Sequence, residues 1–528
     1  MNILNHAEET HIKTLDRLID IGVSLSSEVR IDRLLERILE SAIDLANADG
    51  GTFYRLTEQQ TLEFAIIKNK SLNILMGGSS GNPIMYPAIP LHLGEKDNNA
   101  SIAAHCALSK SSVNIHDAYE ADSFDFSDAK AFDAKTGYHT KSVLAIPLIN
   151  HEGRVLGVLQ LINCLNQQQE LQIFSDFSQK LTESLASQAA IALSNRVLID
   201  QLYALFESVA NLINTAIDEK SPYTGGHCQR VPELTLMLAE AAHLENTGPL
   251  ASFKMDDKDR YELKIAGMLH DCGKITTPVH VVDKATKLET IFDRIQLIEA
   301  RFEVFRKEIK IRYLEACKKH PENQIHLELS YKNSLRQLDD DLSFLKHCNI
   351  GGERMRAEDA ERVKAIGAQQ WDDHLGQKKN LLTDDEIQNL TIIAGTLTQA
   401  ERGIINHHIV ATIMLLGQIP WPDHLKNVTE YAGGHHERMD GKGYPKGLTR
   451  DQMSVQARIM GIADIFEALT AADRPYKNGM PLSQSIAIMT RMKAEGHIDP
   501  DLFDVFIKHG LHITYAKQYL TQEQLDIN

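Results

Sequence analysis

Apolar residues recur at helical spacing from Leu15 to Ala46, in LDRLIDIGVSL and IDRLLERILESAIDLA, and predict amphipathic helix. Asp49, Gly50 and Gly51 break that pattern, and TFYRL after them reads as a strand. Residues 142–163, SVLAIPLINHEGRVLGVLQLIN, place two β-branched apolar runs around Asn150, His151, Glu152 and Gly153, which predicts a hairpin. Between these elements, residues 75–140 read as loop-rich, with a Gly/Ser/Asn cluster from Gly77 to Asn82; long loops in compact domains are often binding loops.

Residues 168–218 contain neither Pro nor Gly and predict one nearly unbroken helix. Two readings of it stand: a coiled-coil connector that dimerises the chain, or the last helix of one domain run into the first of the next. Residues 222–282 and 400–520 read as all-helical. In the charged stretch between them, Ile291, Ile295, Ile298, Phe302, Phe305 and Ile309 alternate steps of four and three. Tyr331, Leu335, Leu338, Leu342 and Leu345 repeat the rhythm, and PENQ at 321–324 offers a turn. Residues 287–350 are therefore expected to form an antiparallel helical hairpin.

The chain has 528 residues, enough for about three domains. Its 55 basic and 72 acidic residues leave a net charge of −17, which disfavours nucleic acid and anionic membrane as generic partners. An anionic small ligand is still compatible if a local cation reverses the field. The six cysteines form no C-x-x-C pair, and the amino-terminal segment lacks the apolar core of a secretion signal. A soluble, cytoplasmic protein with reduced thiols and no membrane insertion is expected.

The chemistry-bearing residues are concentrated beyond residue 223. His227 stands in YTGGHCQRV, His270-Asp271 begin HDCGK, His407 lies in INHHIVATIMLL, His435-His436 open HHERMDGKGYPKGL, and Asp464 follows in IADIFEALTAADRPYK. No cysteine sits at ligand spacing beside them. A histidine/carboxylate set of this kind suits a divalent iron, manganese, nickel or zinc ion. Cys228 and Cys272, although adjacent to these positions, read as small buried residues.

This text resembles the HD-GYP family of metal-dependent phosphohydrolases over residues ~205–520, with the hairpin as an insertion. The carriers are His270-Asp271 with Lys274, and His435-His436-Glu437-x-x-Asp440-Gly441-x-Gly443-Tyr444-Pro445. The resemblance implies two divalent ions, iron or manganese first, with nickel or zinc as alternatives. His227, His270, Asp271 and Asp464 match the ligands of a simple HD domain; His407, His435 and His436 match those of a second ion, with Asp271 as the bridge. His407 is preferred to His408 on the spacing to the alanine and Met-Leu that follow. Tyr223 occupies the position where some members carry a carboxylate for a third ion, which argues for two.

The implied activity is hydrolysis of cyclic di-GMP to pGpG, with further cleavage to GMP left open. Lys274 is expected to act as general acid or electrostatic clamp, Arg474 and Lys477 to contact phosphate, and Tyr444 to stack on the ligand or pack the loop. Glu437 and Asp440 are expected to hydrogen-bond the ligand histidines. The family also associates the GYP loop with diguanylate cyclase (GGDEF) domains as partners.

Residues ~10–200 resemble a GAF domain through ADGGTFYRL, NIHDAYEADSFDF, TGYHTKSVL and the hairpin. GAF domains of this kind bind cyclic nucleotides, haem, bilins or other small ligands, or only dimerise. A haem or bilin would rest on Cys106, His105, His116 or His139, each read as unliganded. The expected architecture is thus an α+β GAF-like sensor (1–170), a connecting helix (171–220) and an all-α HD bundle (221–520) containing the 287–350 hairpin, in a homodimer. The hairpin would serve as a lid, a dimer arm or a partner-docking arm. Two rivals stand beside the leading function: hydrolysis of another cyclic dinucleotide, and a poorly catalytic receptor that recruits partners.

Overall fold

The computed structural model describes residues 16–220, 226–352, 354–373, 375–471 and 479–527. Tyr223, Arg474 and Lys477 lie outside them. The chain divides into two compact units, Met1–Leu205 and Phe206–Asn528.

The first unit opens with helices α1 (residues 16–26) and α2 (Ile31–Leu45). Strands β1 (Ala48–Leu56), β2 (Thr61–Asn69) and β3 (Ile74–Gly77) follow, then the two-residue strands β4 (Ile89–Pro90), β5 (His92–Leu93) and β6 (Lys96–Asp97). Next come α3 (Ile102–Ser109), β7 (Val113–Ile115), α4 (Ser127–Thr136), β8 (Val143–Ile149), β9 (Val155–Leu165) and β10 (Leu171–Gln172). The main sheet is antiparallel, ordered β3-β2-β1-β9-β8-β7. Side-chain alternation divides its core in two. Phe53, Leu159 and Leu161 pack with Leu34, Ile38 and Leu39 of α2 and with Leu185 and Ala189. Tyr54 and Val158, one residue away on the same strands, pack with Ala104 and Cys106 of α3.

Two expectations change here. The helix-to-strand break falls at Asn47 (φ 50°), and Asp49, Gly50 and Gly51 belong to β1. These glycines serve close approach: a Cβ at Gly51 would lie 2.8 Å from the Gln160 carbonyl, and one at Gly50 2.8 Å from that of Lys68. The stretch 75–140 also carries more regular structure than its composition suggests, because α3 is apolar on nearly every face and shows no amphipathic period.

Helix α5 runs from Asp176 to Lys220. The second unit continues with α6 (His227–Leu244), α7 (Asp257–Leu269), the short α8 (Val279–Val282), α9 (Ile295–Lys319), α10 (Gln324–Ile350), α11 (Ala357–Gly367), α12 (Asp384–Leu390), α13 (Gln399–Leu416), α14 (Val428–Gly434), α15 (Val455–Thr470), α16 (Leu482–Ala494), α17 (Pro500–Lys508) and α18 (Leu511–Tyr519). Val231, Leu234, Leu238, Leu263, Ala266, Ile459 and Phe466 belong to its main core.

The predicted hairpin is α9 and α10, turning through Pro321–Asn323. Its helix begins at Ile295, so Ile291 leaves the apolar stripe and is 96% exposed. The insertion is also larger than the hairpin. Ile298, Phe302, Leu338 and Leu345 share a separate core with Val363 and Ile366 of α11 and Leu381, Leu382 and Leu390. Strands β11 (Gln370–Asp372) and β12 (Lys378–Asn380) pair within it. Buried lysines tie down its base. Lys284 Nζ bonds Glu401 of α13 at 2.8 and 2.9 Å, and Lys287 Nζ donates to the Leu390 and Ile392 carbonyls at 3.0 and 2.8 Å.

A candidate metal centre between four helices and the HD turn

His227 is the first residue of α6, where Gly226 (φ 82°) turns the chain into the helix. His270 is the C-cap of α7, Asp271 follows, and a 3-10 turn, Cys272–Thr276, carries Lys274. Lys274 is thus not on a continuation of the α7 face; the turn folds its ammonium onto Asp271 Oδ2 at 2.5 Å. His435 and His436 follow α14, and Asp464 lies within α15.

Near-absence of side chain at Gly273 brings α13 to this turn. A Cβ there would sit 2.0 Å from the His408 carbonyl. Thr412, one helical turn on, accepts from the Gly273 N–H (3.0 Å) and donates to the His270 carbonyl (3.3 Å). This docking decides between the adjacent histidines. His408 is buried, and its Nε2 lies 3.2 Å from Asp271 Oδ1. His407 faces out, on the exposed side of α13 with Ile404, Val410 and Met414. The expectation of His407 at the site is corrected to His408: consecutive residues on a helix point ~100° apart, so only one can face the turn.

The Asp271 carboxylate divides its oxygens. Oδ2 lies 3.3 Å from both His227 Nε2 and His270 Nε2, while Oδ1 faces His408. Asp464 Oδ1 is 3.2 Å from His227 Nε2, and its Oδ2 is 3.9 Å from His436 Nδ1. Two sets of donor atoms therefore converge, His227/His270/Asp271 and His408/His435/His436, the atoms within each lying within 4.8 Å of one another.

Three histidines are oriented by one device. Nδ1 of His270, His408 and His435 faces the carbonyl three residues back, on Gly267, Ile405 and Ala432, at 2.6, 2.5 and 2.7 Å. A carbonyl only accepts, so each Nδ1 carries the proton and each Nε2 presents a lone pair. His227 differs, with its Nδ1 on the Glu467 carboxylate, which Arg230 holds from the other side at 2.8 Å. Glu467 was not anticipated from sequence, although its place three residues after Asp464, on the same side of α15, was a usable signal.

Burial disfavours charge throughout the cluster, and neighbours decide the outcome. Against burial, Lys274 and His270 hold the Asp271 carboxyl well below its usual range. Against burial, hydrogen bonds to Asp271, Asp464 and Glu467 raise His227. Burial and the neighbouring His436 and His270 push His435 well down, and burial lowers His436 to about 4. Burial pushes the Cys228 thiol up to about 12 and Cys272 to about 11, so neither offers a thiolate.

The donor set fits divalent ions on a direct observation. Asp271 Oδ1, His408 Nε2 and His435 Nε2 are buried without a hydrogen-bond partner among the described residues. Buried lone pairs left unpaired are costly, and three converging in one place are what a bound cation satisfies.

The GYP loop is braced differently from expectation. Glu437 accepts from the Lys446 and Leu448 N–H groups at 2.7 and 2.8 Å, and Asp440 from Lys442 N and Arg438. Among the described residues neither carboxylate hydrogen-bonds one of the clustered histidines; both close the loop on itself. A Cβ at Gly443 would meet the Glu437 Cα at 2.4 Å. The Tyr444 ring lies 4.9 Å from that of His436.

Family models match within each of the two compact units. A GAF domain model matches residues 30–193, and HD domain models match 224–341 and 383–502, interrupted within the insertion. The chain is 45% identical over 83 residues to the 3'3'-cGAMP-specific phosphodiesterase 1 of Vibrio cholerae, covering 16% of this chain and 19% of that protein. It is 37% identical over 114 residues to a cyclic di-GMP phosphodiesterase of Pseudomonas aeruginosa, covering 22% and 26%. These matches thus span about a quarter or less of the relatives' length. The crystal structure of a GAF domain from an Acinetobacter phosphoenolpyruvate-protein phosphotransferase aligns at 18% identity with a TM-score of 0.26, covering 36% of this chain and 98% of that one. No helix among the described residues is long and apolar enough to cross a membrane. The chain is a GAF- and HD-domain protein whose curated relatives include phosphodiesterases named for cyclic di-GMP and 3'3'-cGAMP.

Proposed function

We propose that the protein is an HD-GYP-type, metal-dependent phosphodiesterase acting on cyclic di-GMP, with its GAF domain as the regulatory input. The observation that carries this reading is the Asp271 carboxylate, one oxygen toward each histidine group, with unpartnered imidazole lone pairs around it. His227, His270, Asp271 and Asp464 would hold one divalent ion, and His408, His435 and His436 a second, with Asp271 shared. Such ions supply Lewis acidity toward phosphate and acidify water at neutral pH.

The protein groups bind, orient and compensate charge. Lys274, held on Asp271, presents a fixed cation beside the reacting phosphate and serves as the electrostatic clamp. Tyr444 offers a flat, half-buried face next to His436, on which a guanine can stack. Arg474 and Lys477 are the proposed further phosphate contacts. Water adds to phosphorus, the bond to the 3′ oxygen breaks, and that oxygen leaves with a proton, giving linear pGpG. The same groups would admit a second cleavage to GMP. A homodimer through α5, and diguanylate cyclase domains at the GYP loop, complete the proposal.

The test is to incubate the metal-loaded full chain with cyclic di-GMP and with 3'3'-cGAMP and follow the products by chromatography. The reading expects pGpG, with kcat/KM at least about tenfold higher for cyclic di-GMP, a margin of about 1.4 kcal/mol. Preference for 3'3'-cGAMP would reassign the substrate, and tight binding without turnover would establish a receptor.

A further inference from the structure

Within the proposed metal centre, the surroundings of the two ion positions are unequal. The first is lined by His227, His270 and the carboxylates of Asp271 and Asp464. Behind it lies a further carboxylate, Glu467, only 1% exposed, which accepts the His227 Nδ1 proton and is pinned by the Arg230 guanidinium. A carboxylate on one nitrogen of an imidazole makes the other a better donor and fixes its direction. The second position is lined by three imidazoles and the far oxygen of Asp271. His408 and His435 rest on neutral carbonyls, as His270 does in the first set, so the carboxylate behind His227 has no counterpart on these two, and the His436 side chain is 23% exposed, against 0–12% for the first set. Asp464 Oδ2 approaches this second set no closer than 3.9 Å, at His436 Nδ1. Lys274 sits on Asp271 and so weighs on both positions.

We infer that the centre loads in order: the position at His227 holds a resident ion, while the position at His408, His435 and His436 holds an exchangeable one whose supply switches activity on. The inference rests on the metal-centre reading. Glu467 acts in it as a positioning residue, through His227.

The test is an anaerobic Mn²⁺ titration of the metal-free full-length chain, with free Mn²⁺ read by electron paramagnetic resonance and turnover measured alongside. Two binding steps separated by ~10–100-fold are expected, the range typical of loss of an outer-shell partner. Turnover should rise with the second step. Glu467→Gln should weaken the tight step by a similar factor and the weak step by less, since Glu467 reaches the second position only through the shared Asp271. His408→Ala should abolish the weak step and spare the tight one. The wild-type titration needs no variant and is decisive by itself. Two ions of equal affinity, or Glu467→Gln weakening the loose step instead, would overturn the ordered loading while leaving the metal centre standing. A wild-type chain that binds no Mn²⁺ would overturn the metal centre and the inference with it.

Discussion

Replacing Gly273 by alanine is the most demanding single perturbation of the site. The added methyl would lie 2.0 Å from the His408 carbonyl oxygen, 2.6 Å from the Thr412 nitrogen and 2.7 Å from its hydroxyl. All three belong to α13 at its contact with the HD turn, and two are backbone, so no side-chain rotation relieves the clash. Ordinary contact needs ~3.5 Å, and α13 must therefore retreat by roughly 1.5 Å. That movement carries His408 Nε2 away from Asp271 Oδ1, now 3.2 Å distant, and breaks both hydrogen bonds of Thr412. Overpacking of this sort costs ~1–3 kcal/mol of stability, and an ångström of misplacement at a reacting centre costs ~10²-fold in rate. The assay pairs thermal unfolding with metal content and phosphodiesterase turnover. A folded chain with a modestly lower Tm, less than two ions and turnover down ~10²-fold is expected. Thr412→Val keeps the shape, removes the hydroxyl and should show a milder form of the same defect. A Gly273→Ala chain with full metal content and wild-type turnover would refute the claim that this close approach builds the centre.

Other outcomes follow from the same geometry. His407→Ala should leave turnover within about twofold, as a surface change does, whereas His408→Ala should remove it; the two rates side by side decide the assignment. Glu437→Ala strands the Lys446 and Leu448 N–H groups and should cost ~1–3 kcal/mol, seen as a lower Tm and a raised KM as the Tyr444 loop loosens. Lys287→Met leaves the Leu390 and Ile392 carbonyls without their ammonium and should expose the insertion to limited proteolysis, with the metal content of the chain retained.

Much of this architecture was legible because it is periodic. The α9/α10 hairpin repeats its apolar residues every three or four positions and so announces its buried face, and the β8/β9 hairpin sets two apolar runs on either side of Asn150–Gly153, as strands buried on both faces do. Failures came where long-range packing overrides local pattern. Alone, the apolar spread of α13 cannot say which of His407 and His408 turns inward; the answer lies in Gly273, more than a hundred residues earlier. Gly50 and Gly51 look like a break, yet they sit in a strand because the neighbouring backbones come too close for side chains. Glu437 and Asp440, adjacent to His435 and His436 in sequence, brace the loop, while Glu467, distant in sequence, reaches His227. Which carboxylate supports which histidine depends on helix-to-helix register, and no motif spacing encodes it.

The most direct test of the central claim is a metal count per chain, made anaerobically on the purified protein, with cyclic di-GMP turnover measured on the same sample and on His270→Ala/Asp271→Ala. The double substitution removes one imidazole and the carboxylate that both histidine groups face. About two ions per wild-type chain, and loss of both metal and turnover in the variant, is the predicted result. A wild-type chain that holds no divalent ion, or a variant that still cleaves cyclic di-GMP at the wild-type rate, would contradict it.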